Sequence, residues 1–513
     1  MQDWSDGYVA DIEYNHGFYR ELAPAHLSFA SLTQGFRTPS PERALNYCEL
    51  GCGQGVSMNI LAAANPHISF YATDFNPGQI TSASRLAEDA GLSNLHFYDA
   101  AFDEFEHEPS LPRSFDIISL HGIYSWISAE NRAHIVRFLQ KKLKPGGLVY
   151  ISYNTLPGWA VSMPLRQLLV DHATKSTGPI TTRIDKALSY AQDFNSVGTD
   201  YFSKNDLVIE RLKKMAPMPR NYLAHEYFNK DWTPFYFSQV ADELAGAKLS
   251  FLASAHVLDQ VDMVNLTGEQ QKFLASEPDP LRRQSLRDYI VNQQFRRDIF
   301  VKGGEKFNLA DSRAAWLDHR FTLVKRREDV PLTSNSRLGE VTLNKDVYDP
   351  ILDGFSNGPA TIREILKNKQ IEEFGWQKLQ QALAVLVGAG DLQPCLTTKN
   401  EKKRRESAKL MNRTLIDRSE GGTDISFLAS PVTGSGVAVN RIEQLFLNAR
   451  IKGMKTPSDW AASTWEKLDS QGHKLKLEGK TLENPDDNLT ELNRQAKEFE
   501  EKTLPVLSTL QVI

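Results

Sequence analysis

The sequence predicts an α/β protein in which a parallel sheet is followed by mostly helical domains. Three observations predict it. Between residues 44 and 154, short apolar runs alternate with helical patterns. After about residue 160 the strand signal fades and long helical stretches take over. The 513 residues also exceed what one hydrophobic core accommodates, which implies roughly three or four domains.

Residues 1–43 read as a helical preamble or lid, closed by Pro39 and Pro41. The apolar runs at 44–50, 68–73, 95–98, 115–120 and 148–153 have the length of buried strands. Helical patterns at 56–64, 79–90 and 129–143 separate them. Gly91 stands where a helix C-terminus wants a left-handed residue, and Ser128 where an N-cap belongs. An α/β domain at 44–175 follows. Helical stretches at 180–194, 205–215 and 237–245, broken by Pro217 and Pro219, make a helical domain at 176–328. In 329–400, helices at 348–355, 361–369 and 376–389 lead into a hairpin strand after Gly390, a winged-helix-like order. The charge run Asn400-Glu401-Lys402-Lys403-Arg404-Arg405-Glu406 reads as a solvated linker or helix end. Residues 401–513 form a C-terminal helical domain ending in an amphipathic helix at 488–507.

Composition narrows the partners. Hydrophobic residues are 41% and charged residues 24%, an ordinary globular balance. A net charge of -5 leaves no general basic footprint for a nucleic acid. Cys48, Cys52 and Cys395 make neither a disulfide framework nor a zinc set, so no metal site is expected. The first residues lack the basic and apolar regions of a signal peptide, and no run of about eighteen apolar residues occurs. A cytoplasmic protein without a membrane span is expected.

The first motif with chemistry in it is Tyr47-Cys48-Glu49-Leu50-Gly51-Cys52-Gly53-Gln54-Gly55. An apolar strand ends in an acid, three alternate glycines follow, and a helix starts. Glycine lets the backbone turn sharply and approach a ligand, and the helix N-terminus offers free amides. A dinucleotide site would read G-x-G-x-x-G. Here Val56 occupies the third glycine's position and the acid precedes the turn.

That spacing resembles the E-x-G-x-G-x-G turn of class I S-adenosylmethionine-dependent methyltransferases. The resemblance implies a Rossmann-like sheet with S-adenosylmethionine as cofactor, its amino-acid end held by Glu49, Gly51, Gly53 and Gly55. It also gives roles to later strand ends. Asp74 would accept from the ribose hydroxyls, Phe75 would flank the adenine, and Asp99 with Ala100 would meet the adenine amine. His121 ends the fourth run, which should face the transferring methyl. Leu143-Lys144-Pro145-Gly146-Gly147 is similar to the loop before the fifth strand of these enzymes.

Residues 121–127 and 152–159 both follow strand ends, where open α/β sheets bind ligands. Aromatic faces there can hold cations, while Trp126 and Trp159 read equally well as core aromatics. The stretch Ser152-Tyr153-Asn154-Thr155-Leu156-Pro157-Gly158-Trp159 and the later Tyr222-Leu223-Ala224-His225-Glu226-Tyr227-Phe228 resemble bacterial methyltransferases with a methyltransferase regulatory domain. That group includes rickettsial lysine methyltransferases acting on outer-membrane protein B. The resemblance spans residues 10–325 and departs at Tyr14-Asn15-His16-Gly17-Phe18-Tyr19, which replaces a proline-rich stretch.

The candidate catalytic residues are therefore His121, Tyr124, Trp126, Tyr153, Asn154, His225 and Glu226. An activated methyl donor leaves the protein chiefly proximity and orientation to supply. A lysine acceptor, with an ordinary pKa of about 10.4, must first lose a proton, and an apolar cleft favours that loss. The sequence lacks the N/D-P-P-Y tetrad of enzymes that methylate base or amide nitrogens. The first expectation is a protein lysine N-methyltransferase, with an outer-membrane protein as one acceptor class and a homodimer as one assembly. A small-molecule or polysaccharide methyltransferase is the alternative, and a non-catalytic cofactor-binding regulatory protein the second.

Overall fold

The computed structural model describes residues 16–422 and 425–513. Tyr14, Asn15 and the rest of residues 1–15 lie outside them. Among the described residues, seven strands form one sheet in the order β3-β2-β1-β4-β5-β7-β6. They are β1 (Asn46–Leu50), β2 (Ser69–Asp74), β3 (Leu95–Asp99), β4 (Phe115–Leu120), β5 (Leu143–Asn154), β6 (Leu249–Ser254) and β7 (Phe295–Lys302). Pairing is parallel from β3 through β5. β7 runs antiparallel between β5 and β6. The strand order reverses between β1 and β4, and such switch points open a ligand crevice at the carboxyl ends of the strands.

The expected division at residue 175 does not follow this sheet. β6 and β7 come from the stretch read as helical, and β7 pairs with β5 from Leu148↔Val301 to Asn154↔Phe295. Charge hides β7 in the sequence. Arg296 and Asp298 lie in it, fully enclosed, with Arg296 bonded to Asp288 at 2.6 Å and to Asp298 at 2.7 Å. Between β5 and β6 an insert of helices Met163–Lys175, Ile180–Ser196, Asp206–Met215 and Arg220–Tyr227 carries its own core, including Leu169, Ile184, Leu212 and Leu223.

Alternation along the strands sends side chains to two different cores. Ile117, Leu148 and Tyr150 enter one; Ile118, Val149, Ile151 and Tyr153 enter the other. The first core holds α1 (Pro24–Leu32) and α2 (Val56–Ala64) and continues through to Val512. All nine residues of α2 are buried. A helix buried on every side needs cover on every side, and the C-terminal region provides part of it. Asn65, which ends α2, donates to Gly434 O at 2.8 Å, in the hairpin of Phe427–Ser430 and Ser435–Ala438. Residues 401–513 are thus continuous with the main core, and they include this hairpin besides helices.

Residues 329–400 hold helices Lys345–Asp353, Ile362–Ile365, Lys369–Glu373 and Trp376–Ala389. Leu392–Cys395 was expected in a hairpin; it pairs instead with Arg320–Leu323, upstream of the module. The charge run is a helix end, opening the helix Glu401–Arg418, but it is not solvated throughout. Arg404 is 1% exposed and donates to the carbonyls of Thr397, Lys399 and Pro431. No helix of the described residues is long and apolar enough to cross a membrane.

The ionic network behind β7 sets a stability test. Arg296→Met leaves Asp288 and Asp298 uncompensated in the interior and should cost about 3–5 kcal/mol. Tyr153→Phe, which removes the 2.7 Å bond to Asp298, should cost about 2 kcal/mol. Urea and thermal midpoints check both. A wild-type midpoint for Arg296→Met would show that the network is not structural.

Candidate functional site

The glycine turn between β1 and α2 holds three left-handed residues, with φ of +73° at Gly51, +54° at Gly53 and +64° at Gly55. A Cβ at Gly51 would lie 2.7 Å from Ile123, and one at Gly55 2.6 Å from Ala83. At Gly53 the nearest atom would be 3.8 Å away. Packing therefore demands the outer two glycines, whereas Gly53 requires glycine for its backbone and faces open space. The turn hangs from the end of β2. Thr73 O accepts from the amides of Gly51 at 2.9 Å and Cys52 at 3.0 Å. Asp74 Oδ2 accepts from Gly53 N at 2.9 Å and Oδ1 from Asn76 N at 3.0 Å.

A cavity of about 620 Å³ starts at this turn and runs along the strand ends to the helical insert. Glu49, Gly51, Gly53, Gly55, Asp74, Phe75, Ala100 and His121 line it, as do Trp126, Asn154, His225 and Glu226. Three expected residues do not. Asp99 is exposed on the outermost strand, where it pairs with Asp74 in register without lining the cavity; Ala100, Ala101 and Phe102 make the wall instead. Tyr153 and Tyr124 belong to the core on the other face of the sheet. Alternation aims Tyr153 away from the cavity while its neighbour Asn154 faces it, and the Tyr153 hydroxyl is committed to Asp298. Tyr124 donates to Glu243. Tyr19, Gln54, Asp231 and Arg297 also line the cavity. Arg297 gave no signal in the sequence because β7 was not legible, and Tyr19 stood out only as a departure from the family pattern.

Burial tunes the charges. It pushes the Glu49 carboxyl up to about 8, with nearby Asp74 adding to the effect. It raises Asp74 to about 6, although the amides of Asn76 and Gly53 pull the other way. His121 is driven down to about 3 by burial. Its ring lies against Tyr19 at 3.6 Å, and its Nδ1 is 2.8 Å from the Tyr150 hydroxyl. The imidazole is therefore neutral at any ordinary pH. Burial and the charge of Glu226 take Tyr222 up to about 12. At the insert end, Trp232 stands 5.1 Å from Trp159 and 6.3 Å from Trp126. The Arg211 guanidinium sits 4.0 Å over Trp159, so Trp159 both closes the insert's core and walls the cavity.

The polar groups left over define what the cavity can hold. Glu49 Oε2 and Gln54 Oε1 are buried acceptors with no partner among the described residues, and an ammonium would satisfy both. The Asp74 oxygens each keep a lone pair for a hydroxyl. Phe75, Ala100 and Phe102 offer an apolar slot for a flat ring. Further along, Asn154 Nδ2 is a buried donor without an acceptor. Among the described residues, no three His, Cys, Asp or Glu side chains cluster in a way that could hold a metal ion. This set fits the amino-acid, ribose and adenine parts of S-adenosylmethionine.

Comparison with known proteins agrees. A family model described as a methyltransferase domain matches residues 48–149, and one described as a predicted methyltransferase regulatory domain matches residues 219–302. The second therefore includes both late strands, β6 and β7. An uncharacterised protein of Synechocystis is 43% identical over 509 residues, covering 99% of each chain. An uncharacterised protein of Rickettsia prowazekii is 26% identical over 311 residues, 59% of this chain and 55% of that one. The structure of PKMT2 from Rickettsia typhi in complex with AdoHcy superposes with a TM-score of 0.67 at 19% identity, covering 95% of this chain and 98% of that one. Sheet order, glycine turn and matched domains thus place this chain among the class I S-adenosylmethionine-dependent methyltransferases that carry a methyltransferase regulatory domain.

Proposed function

We propose that the chain is a protein lysine N-methyltransferase, with the acceptor side chain entering the cavity from the helical insert. The carrying observation is the lining of that end: Trp126, Trp159 and Tyr222 together with the carboxylates of Glu226 and Asp231. Aromatic faces and carboxylates attract an ammonium group, and its desolvation among the aromatic faces deeper in then favours the neutral form. The Rickettsia typhi structure bears the name PKMT2, which accords with this reading.

S-adenosylmethionine supplies a methyl on a positively charged sulfur, so no residue need protonate a leaving group. What the chain supplies is position. Glu49, Gly51, Gly53 and Gly55 hold the amino-acid end, Asp74 the ribose, and Phe75 with Ala100 the adenine. Asn154 lines the cavity, and its amide oxygen orients the acceptor by accepting an N–H of the neutral amine, which leaves the nitrogen lone pair free to attack. His225 and Glu226 guide the approach from the insert. His121 does not serve as general base, because an imidazole held near 3 is far too weak to take a proton from an amine. It contributes a neutral wall, and the amine proton leaves toward the acidic, solvent-facing end.

The cofactor half of this reading is tested by calorimetry. Gly53→Arg should weaken S-adenosylmethionine binding by a factor of about 100 or more, since Gly53 lines the cavity and its left-handed backbone disfavours any side chain. Binding by wild type at pH 7 should also release close to one proton, because Glu49 near 8 is mostly protonated there and a cationic ligand selects its ionised form. Affinity should rise with pH toward 8. Glu49→Gln should abolish the proton release, measured in buffers of different ionisation enthalpy. Equal affinity for Gly53→Arg would remove the cavity from consideration.

The acceptor half is tested with methyl-labelled cofactor and bacterial protein extracts. Label should appear on lysine by mass spectrometry. Glu226→Gln should lower kcat/KM for that substrate about tenfold and leave cofactor affinity unchanged. Label confined to small molecules or polysaccharide would select the other acceptor class.

A further inference from the structure

Residues 17–21 cross from the cavity to the C-terminal half of the chain, and their side chains alternate between the two. Tyr19 faces the cavity, stacked on His121. Its amide donates to Ser57 Oγ at 3.2 Å in the first turn of α2, and that hydroxyl donates on to Gly17 O at 3.4 Å. Glu21 accepts from Arg297, a cavity residue, at 3.1 Å. Phe18 and Arg20 point the other way. The Phe18 ring lies on Gly436, where a Cβ would come within 2.8 Å of it, and meets Phe427 at 5.2 Å. Arg20 Nη2 donates to Gly388 O at 2.8 Å. That carbonyl is in the last turn of the helix Trp376–Ala389, where free carbonyls and the negative end of the helix dipole favour a cation. Gly390, the left-handed residue ending this helix, leaves room for the guanidinium: a Cβ there would lie 2.6 Å from Arg20 Nη1.

We propose that residues 17–21 are a strap completing the cofactor site, with Tyr19 as its wall, and that the C-terminal half sets cofactor affinity by holding this strap through the positioning residues Phe18 and Arg20. The inference rests on assigning the cavity to S-adenosylmethionine. Its physical content is pre-organisation. Ordering a short segment costs conformational entropy, and anchors that order it beforehand spare the ligand that cost. Residues more than 360 positions away in the chain thereby act on the cofactor without touching it.

Calorimetric titration with S-adenosylmethionine, paired with thermal midpoints and hydrogen exchange, tests this. Arg20→Met should weaken binding about tenfold, a loss of about 1.4 kcal/mol. It should also speed exchange in residues 17–22 of the ligand-free protein, with little change in the midpoint. Arg20→Lys, which restores a cation at the helix end, should recover most of the affinity. Tyr19→Ala should weaken binding at least as much as Arg20→Met. Wild-type affinity in both Arg20→Met and Tyr19→Ala overturns the strap. So does an affinity loss that tracks a falling midpoint and is not recovered by Arg20→Lys. Absence of binding by the wild-type chain overturns the cavity assignment itself, and the strap with it, a result distinct from the other two.

Discussion

A turn with three left-handed residues in five positions cannot be held by its own side chains, so its amides must find partners elsewhere. Here they hang from one strand end, with two on Thr73 O and a third on the Asp74 carboxylate. This attachment governs the chemistry of the cleft. Asp74 is engaged with the backbone before any ligand arrives and stays buried. Glu49, beneath the turn, is then enclosed next to a second carboxylate, and burial with that neighbour raises its carboxyl to about 8. The other side of the turn is secured by α2, where Asn59 Nδ2 bridges Gly55 O at 3.0 Å and Ala83 O at 3.1 Å. Strained backbone, raised carboxyl and waiting acceptors are thus consequences of one suspension point.

The same turn explains why the chain is so large. It fixes where α2 begins, and α2 has no polar face to give to water. The helix Glu401–Arg418 and the hairpin after it cover that face, with Thr414 also reaching Asp89 O at 3.3 Å. A continuous core from Phe18 to Val512 follows from this cover. The C-terminal residues are therefore part of what makes the cofactor domain stable, and a truncation at residue 400 would expose apolar surface on the helix that carries the glycine turn.

How much of this was legible in the sequence depends on what each residue type reveals about its surroundings. β1 to β5 were readable because parallel strands buried on both faces are nearly continuous apolar runs. The glycine turn was readable because left-handed backbone at a fixed spacing demands glycine. β7 was not, since Arg296, Arg297 and Asp298 look like surface residues until Asp288 and Glu21 are found beside them. Arg404 misled for the same reason, its charge being spread over three carbonyls inside the protein. Tyr153 failed as a site residue through alternation alone, because adjacent strand residues cannot both face one cavity. The sequence of α2, Val-Ser-Met-Asn-Ile-Leu-Ala-Ala-Ala, has no charged residue and only Ser57 and Asn59 as polar ones, too few for a solvated face, which requires a covering layer from elsewhere in the chain.

Charge along the cavity has a pattern that methyl transfer itself rationalises. Carboxylates line the cavity at the glycine turn, Glu49 and Asp74, and at the insert, Glu226 and Asp231, while Tyr19 and His121 add neutral rings to its wall. Arg297 also lines it, but Glu21 offsets its charge at 3.1 Å. Transfer from a sulfonium to the amine proposed above as acceptor would move a positive charge from sulfur to nitrogen. A carboxylate set against the reacting atoms would stabilise the protonated amine and hold back the lone pair. A cation there would repel the donor. Neutral aromatic surfaces avoid both faults and tolerate the charge wherever it stands. The burial that takes His121 down to about 3 thus removes it as a base, and the same burial is what allows an imidazole to line this part of the cavity at all.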